Sequence, residues 1–186
     1  GMQPLVTAFG AGWLLNEKVS ARQWAGLGLG FVGVGLVVSG KLGDGALGPM
    51  LIPAVVALLG ITAGTLYQKR FCPKFDLRTG SVIQFVPTAI VTAIAVAVFE
   101  DYRIECTGQF VFALGWLVLV LSLGAISLLN LLIRSGSAVN VAALFYLTPP
   151  TTALIAYFIF GENLTLTAAF GMLVAVSGVY LVARTK

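Results

Sequence analysis

Residues 138–160 read AVNVAALFYLTPPTTALIAYFIF: twenty-three positions without one charged side chain, with two adjacent prolines at their middle. The hydrocarbon core of a bilayer takes about 20 consecutive apolar residues in helical form, so this run has the length of a membrane crossing. After a turn of Gly161, Glu162 and Asn163 alone, residues 164–183 supply a second run, LTLTAAFGMLVAVSGVYLVA. A connection that short makes the two helices antiparallel neighbours.

The same pattern continues outward from this hairpin. Apolar runs bounded by charges predict seven helices: Gly1–Asn16, Gln23–Ser39, Gly48–Gln68, Ser81–Phe99, Gln109–Ile133, Ala138–Phe160 and Leu164–Ala183. Of the 186 residues, 59% are hydrophobic and 10% charged, where a soluble domain carries about 25% charged residues. Strands of a membrane barrel alternate apolar and polar residues in segments of about 10, and Val111–Ile133 does not alternate. In lipid the backbone must satisfy its own hydrogen bonds. The fold class is therefore all-α, a polytopic transmembrane helix bundle. Gly1–Asn16 lacks the basic start of a secretory signal and is read as mature structure.

Composition also removes whole classes of function. Histidine is absent and there are two cysteines, which leaves zinc sites, histidine-based hydrolysis and haem ligation without residues; no cofactor and no metal are expected. The net charge of +4 comes from eleven Lys and Arg scattered over short segments, not the single basic stripe that nucleic-acid binding needs. An intramembrane enzyme requires paired carboxylates or an activated nucleophile inside the membrane, and none is visible, so catalysis is not expected. The partners are membrane lipid and a small-molecule substrate.

Charge sets the orientation. Lys18, Arg22, Lys69, Arg70, Lys74, Arg78, Arg134, Arg184 and Lys186 fall on one side, Lys41 and Arg103 on the other. Lys and Arg are enriched in cytoplasmic loops, which places the C-terminus in the cytoplasm and the acidic loop of Glu100, Asp101 and Glu105 outside. Cys72 and Cys106 then lie on opposite sides and are not expected to pair.

The chain also repeats itself. At an offset of 145, Pro4, Thr7, Ala8, Ala11, Glu17, Gly26, Gly33, Val34, Leu36 and Val37 recur as Pro149, Thr152, Ala153, Ala156, Glu162, Gly171, Gly178, Val179, Leu181 and Val182. Five helices separate each residue from its mate, so the direction through the membrane reverses and the repeats are inverted. Inverted repeats mark secondary transporters, whose substrate site lies near the midplane between the halves. The second repeat spans residues 48–184; the first leaves only its end, residues 1–40, with three helices and half of a fourth expected upstream of Gly1.

These residues resemble the EamA branch of the drug/metabolite transporter superfamily. The resemblance is carried by LLIRSGSAVNVAALFYLTPPTTALIAYFIFGENLTLTAAFGMLVAVSGVYLVA, residues 131–183. Gly136 and Ala138 follow a short basic turn, Leu147 and Pro149 form the mid-helix Leu-x-Pro, Gly161 and Glu162 make the turn, and Gly171 and Gly178 are seven apart. Residues 1–40 repeat the pattern, with Asn16 in place of the glycine before Glu17. The resemblance implies a ten-helix inverted-repeat transporter of a bacterial inner (plasma) membrane, truncated here to about seven helices, with both termini cytoplasmic. It implies export or exchange of amino acids, other metabolites or drugs by alternating access. A truncated non-transporting scaffold, or an inactive fragment that needs a partner chain, stays open beside this reading.

Candidate substrate-binding residues follow from polarity inside apolar runs. Gln84, Thr88 and Thr92 recur every four residues and share a helix face, lining a cavity or, for the threonines, bonding their own backbone. Asn130 lies on a stripe with Ser127 and Arg134 and seeks either substrate or a neighbouring helix. Tyr146, Thr148, Pro149, Pro150 and Thr151 crowd the midplane, where two prolines remove two backbone donors and bend the helix, as transporter sites do. Pro4 holds the symmetric place, with Gln3 and Thr7 beside it. Glu17 and Glu162 close helices where a carboxylate meets the positive end of a helix dipole. The glycines between Gly26 and Gly35 give a smooth face for helix packing, within the subunit or at a homodimer contact.

Overall fold

The computed structural model describes residues 1–39, 51–72, 76–100 and 105–184. Residues 40–50, Lys74, Asp101, Arg103 and Lys186 lie outside them. Seven helices follow one another among the described residues: α1 (Gln3–Leu14), α2 (Ala21–Ser39), α3 (Leu51–Phe71), α4 (Leu77–Phe99), α5 (Gly108–Ser135), α6 (Ala138–Phe160) and α7 (Leu166–Ala183). Six of these are long and apolar enough to cross a bilayer; α1, with 12 residues, spans about 18 Å at 1.5 Å per residue, short of the ~30 Å core. The fold is the all-helical membrane bundle that the apolar runs dictate.

Helix starts depart from the hydropathy edges by a few residues because caps, not hydropathy, set them. Thr107 accepts a bond from the Phe110 amide at 3.2 Å and starts α5; Ser137 accepts from Asn140 at 3.1 Å and starts α6; Thr165 accepts from Ala168 at 3.2 Å and starts α7 at Leu166 rather than Leu164. Each such cap stabilises its helix by about 1 kcal/mol.

The chain forms two compact units. The first comprises residues 1–71 and 136–186 and the second residues 72–135. In the first, α2 and α7 are the central pair and run antiparallel, Gly26 meeting Gly178 and Gly33 meeting Gly171. A Cβ added at Gly26 would lie 2.7 Å from the Gly178 carbonyl oxygen, and one at Gly171 would lie 2.8 Å from that of Gly33. The backbones touch, which a side chain would prevent; in lipid, where no hydrophobic force drives helices together, such close packing is what holds them. Around this pair α1 packs on α3 and on the first half of α6. Their shared core contains Ala8, Ala11, Leu27, Leu66, Val139, Ala143, Tyr146 and Val182.

The second unit holds α4 and α5. Pro87 sits inside α4 and so withholds one backbone donor from the preceding turn. Within α5 the stretch Leu117–Ala125 is π-helical, and the following Ile126 amide bonds the Leu121 carbonyl, five residues back. Neither a proline nor a charge in 117–125 announces that widening, and the apolar pattern alone predicts regular helix through the whole run. Large apolar side chains on both helices, Ile83, Val91, Phe99, Phe112 and Leu119 among them, are exposed, as suits a surface solvated by lipid.

Candidate functional site

Helix α6 is broken at its centre. Regular turns cover Ala138–Ala143, a 3-10 turn covers Leu144–Leu147, and the α-helix resumes at Thr148. The prolines explain the break, because Pro149 and Pro150 have no N–H with which to bond the carbonyls one turn earlier. The Thr151 hydroxyl donates to the Leu147 carbonyl at 2.7 Å, the back-bond common to helical threonines. Tyr146, on the 3-10 turn, is wholly buried and its ring lies over Gly30, where an added Cβ would come within 2.8 Å of the ring Cε2.

The Tyr146 hydroxyl, Gln3 Nε2, Thr7 Oγ1 and Thr62 Oγ1 are buried with no hydrogen-bond partner among the described residues. All four lie in the first unit, on α1, α3 and α6, and α1 packs against both of the others. Leaving a buried polar group unmet costs about 1–3 kcal/mol, so four in one helix cluster is an expensive arrangement for structure alone. Buried polar groups are ordinarily paired; groups kept unpaired are suited to receive a polar solute. A cleft of about 1020 Å³ between α1 and α3, lined by Val6, Phe9, Gly10, Leu59, Thr62 and Leu66 among others, opens beside Thr62.

Of the candidate residues, Gln3, Pro4, Thr7 and Tyr146 all belong to the first unit, where Pro4, Thr7 and Tyr146 are buried. Pro149 and Thr148 instead line a separate groove with Glu162, and Thr148 and Thr151 are exposed. Gln84, Thr88 and Asn130 belong to the second unit, where Gln84 is exposed, the Thr88 hydroxyl bonds the Gln84 carbonyl at 2.8 Å and Asn130 is buried. Thr88 and Thr151 thus take the self-bonding option that threonine has in any helix. Thr62 was not foreseen. Its neighbour Thr65 bonds the Ile61 carbonyl at 2.8 Å, and in sequence the two hydroxyls look alike.

A polar cluster forms where α1, α2, α3 and α6 meet at the end bearing Lys18, Arg22, Lys69 and Arg70. Glu17 Oε1 accepts from the Ala138 amide at 3.4 Å, and Gln23 Nε2 donates to Asn140 Oδ1 at 3.2 Å. Ser20 and Gln23 exchange bonds of 3.2 and 2.9 Å, a reciprocal capping box. Lys69 donates to the Gly136 carbonyl and Arg70 to that of Leu14. Glu17 therefore does what a carboxylate at a helix start should do, but for α6 rather than the following helix. Replacing it with alanine is expected to lower stability by about 0.5–2 kcal/mol, read from thermal melts in detergent.

The two Gly-Glu and Asn-Glu turns share one geometry. Asn16 and Gly161 hold left-handed backbone, φ +52° and +64°, and Glu17 and Glu162 donate their amides back to Ala11 and Ala156 at 3.2 and 3.4 Å. Each amide reaches a carbonyl six residues back, one residue wider than the six-to-one bond of a Schellman motif, and the closure is repeated at mated positions. Asparagine is the residue other than glycine that adopts this backbone readily. Asn16→Gly is expected to be neutral or stabilising and Asn16→Val to cost about 1–2 kcal/mol, checked by the same melts.

Six membrane-length helices, one of them broken at its centre, and a backbone-on-backbone glycine contact define a polytopic α-helical membrane protein. Residues 48–184 match the model of the EamA-like transporter family. The chain belongs to that family, within the drug/metabolite transporter superfamily. Neither a curated protein nor a solved structure gives a significant match.

Proposed function

We propose that this protein is a secondary carrier that exports small neutral or zwitterionic metabolites, such as amino acids or drugs, by alternating access, without covalent chemistry. The observation that carries the reading is the group of unpaired buried polar atoms on Gln3, Thr7, Thr62 and Tyr146, next to a helix broken by Pro149 and Pro150. Uncharged donors and acceptors in an apolar setting suit a solute without net charge, since an unpaired ion there would carry a large desolvation penalty. Gln84, Thr88 and Asn130 are proposed as solute-binding residues of the second unit by itself, and Pro4, Thr148, Pro149 and Thr151 are proposed to shape the path along α1 and α6 of the first.

The proposal includes two inverted repeats, the first ending within residues 1–40 and the second spanning 48–184. Supporting it, the α2–α7 contact is reciprocal: Gly26 meets Gly178 as Gly171 meets Gly33, which is what a pseudo-twofold axis exchanging residues 145 apart demands. We further propose a bacterial inner membrane, as the family resemblance implies, with the C-terminus cytoplasmic, which the uneven distribution of Lys and Arg supports.

Vesicles containing the protein and loaded with a panel of labelled amino acids test the reading. Efflux of a neutral member above that of protein-free vesicles, inhibited by the unlabelled compound, is expected. A full panel indistinguishable from empty vesicles would count against transport by this chain.

A further inference from the structure

The cleft between α1 and α3 has a cation built into one end. The Arg70 guanidinium donates to the Leu14 carbonyl and lies 5.5 Å from the centre of the Phe71 ring, and Leu14 and Phe71 both line the cleft. Gly10 faces Leu66 as Leu14 faces Arg70, so α1 and α3 run parallel, with residues 56 apart at one level. The cleft follows them from Leu59 to Phe71, about 18 Å at 1.5 Å per residue, close to the ~15 Å that one leaflet contributes to the hydrocarbon core. Buried Thr62 and Leu66 lie at its base, and exposed aromatic rings rim it. Three of these rings, Trp13, Tyr67 and Phe71, stand near the Arg70 end, 86%, 60% and 59% exposed, where Trp and Tyr meet the boundary between headgroups and chains.

We infer that this cleft seats one acyl chain of an anionic phospholipid from the leaflet on the basic side, with the headgroup phosphate held by Arg70. The chain follows from the apolar lining and the length of a single leaflet. The phosphate follows from charge: a guanidinium carries five N–H donors in a planar fork, the bond to Leu14 uses one of them and fixes the group at the cleft's end, and the fork matches phosphate oxygens in pairs. Lys18, Arg22 and Lys69 share that end. The carboxylate there, Glu17, accepts from the Ala138 amide and lines a separate polar pocket with Gln23 and Asn140. Basic pockets between membrane helices hold anionic headgroups in this way. At the other end the cleft is lined by Val6 and Leu59 and carries no charge, as the tail of a chain requires. The inference does not depend on transport. Of the four unpaired polar groups assigned to solute, only Thr62 borders the cleft.

Trp13 is a reporter on the rim. The test uses the 186-residue chain with Trp24→Phe and Trp116→Phe, in phosphatidylcholine nanodiscs that contain a small fraction of phospholipid brominated on its acyl chains. Brominated phosphatidylglycerol is expected to quench Trp13 emission at an about fivefold lower mole fraction than brominated phosphatidylcholine, the advantage that one cation gives an anionic headgroup. Unbrominated phosphatidylglycerol should restore the emission, and further phosphatidylcholine should not. Arg70→Gln should abolish the preference. Gly64→Leu should abolish it with the charge still in place, because Gly64 lines the cleft and a Cβ added there meets open space. A preference that survives Gly64→Leu means headgroup attraction without a seat, and overturns the proposal. Equal quenching by the two lipids overturns it too, as does an absence of quenching, which assigns the cleft to a second copy, or relief of quenching by a neutral amino acid, which assigns it to transported solute. Should either substituted chain fail to fold, the chain that keeps Trp116 alone, on the second unit, decides: the preference must appear at Trp13 and not at Trp116, and equal preference at both overturns the proposal.

Discussion

Tyr146→Phe is expected to make the protein more stable and less active together. The hydroxyl is buried with no partner among the described residues, and removing an unsatisfied polar group while keeping its shape relieves a desolvation penalty; the gain should be about 1 kcal/mol, visible as a higher melting temperature in detergent. If the hydroxyl bonds solute during transport, losing one such bond weakens apparent affinity about three- to tenfold, measured as the concentration of unlabelled solute that halves efflux. Tyr146→Ala separates these effects. It empties the space over Gly30 and should cost about 3–5 kcal/mol, as large aromatic truncations do in packed cores. A phenylalanine variant that melts lower and transports normally would identify the hydroxyl as structural.

The elements of this fold were readable because lipid enforces a simple code. Charges cannot remain in the hydrocarbon, so the boundaries of α2, α3, α6 and α7 fall within a few residues of the last charge or cap. The internal repeat was readable for a different reason: Pro4 and Pro149, Glu17 and Glu162, and the paired glycines are chemically demanding residues, each required by a particular local geometry. The left-handed turns at Asn16 and Gly161 show how substitution within a repeat preserves backbone while changing the letter.

Hidden from sequence was everything that depends on who faces whom. Thr62 and Thr65 differ by three positions, yet one hydroxyl is buried and unpaired and the other is bonded to Ile61. Thr7, Thr88 and Thr151 are all threonines within apolar runs, but of the three only Thr7 keeps its hydroxyl unspent. The π-helical stretch in α5 contains no proline or charge, and its one glycine, Gly124, has many counterparts in regular helix here; the bond from the Ala138 amide to Glu17 joins residues 121 apart. A one-dimensional pattern ranks residues by polarity; it takes packing to decide which polar atoms the protein itself has already used.

The glycines of α2 give the second large effect, and its internal controls are supplied by the same helix. Gly26, Gly33, Gly171 and Gly178 each hold a backbone atom of the partner helix within the space a Cβ would need, whereas nothing lies within 4 Å of such an atom at Gly28 or Gly35. Alanine at any of the first four should cost about 1–3 kcal/mol through forced separation of α2 from α7. Alanine at Gly28 or Gly35 should instead stabilise by about 0.5–1 kcal/mol, because it removes only the entropic penalty of glycine in a helix. The proposed pseudo-twofold axis adds a sharper requirement, that Gly26→Ala and Gly171→Ala lose equal amounts, as must Gly33→Ala and Gly178→Ala. Thermal melts of the six single variants decide the matter. Equal losses at all six would mean that glycine is needed for reasons other than contact, and unequal losses between mates would mean that α2 and α7 do not meet through a symmetric interface.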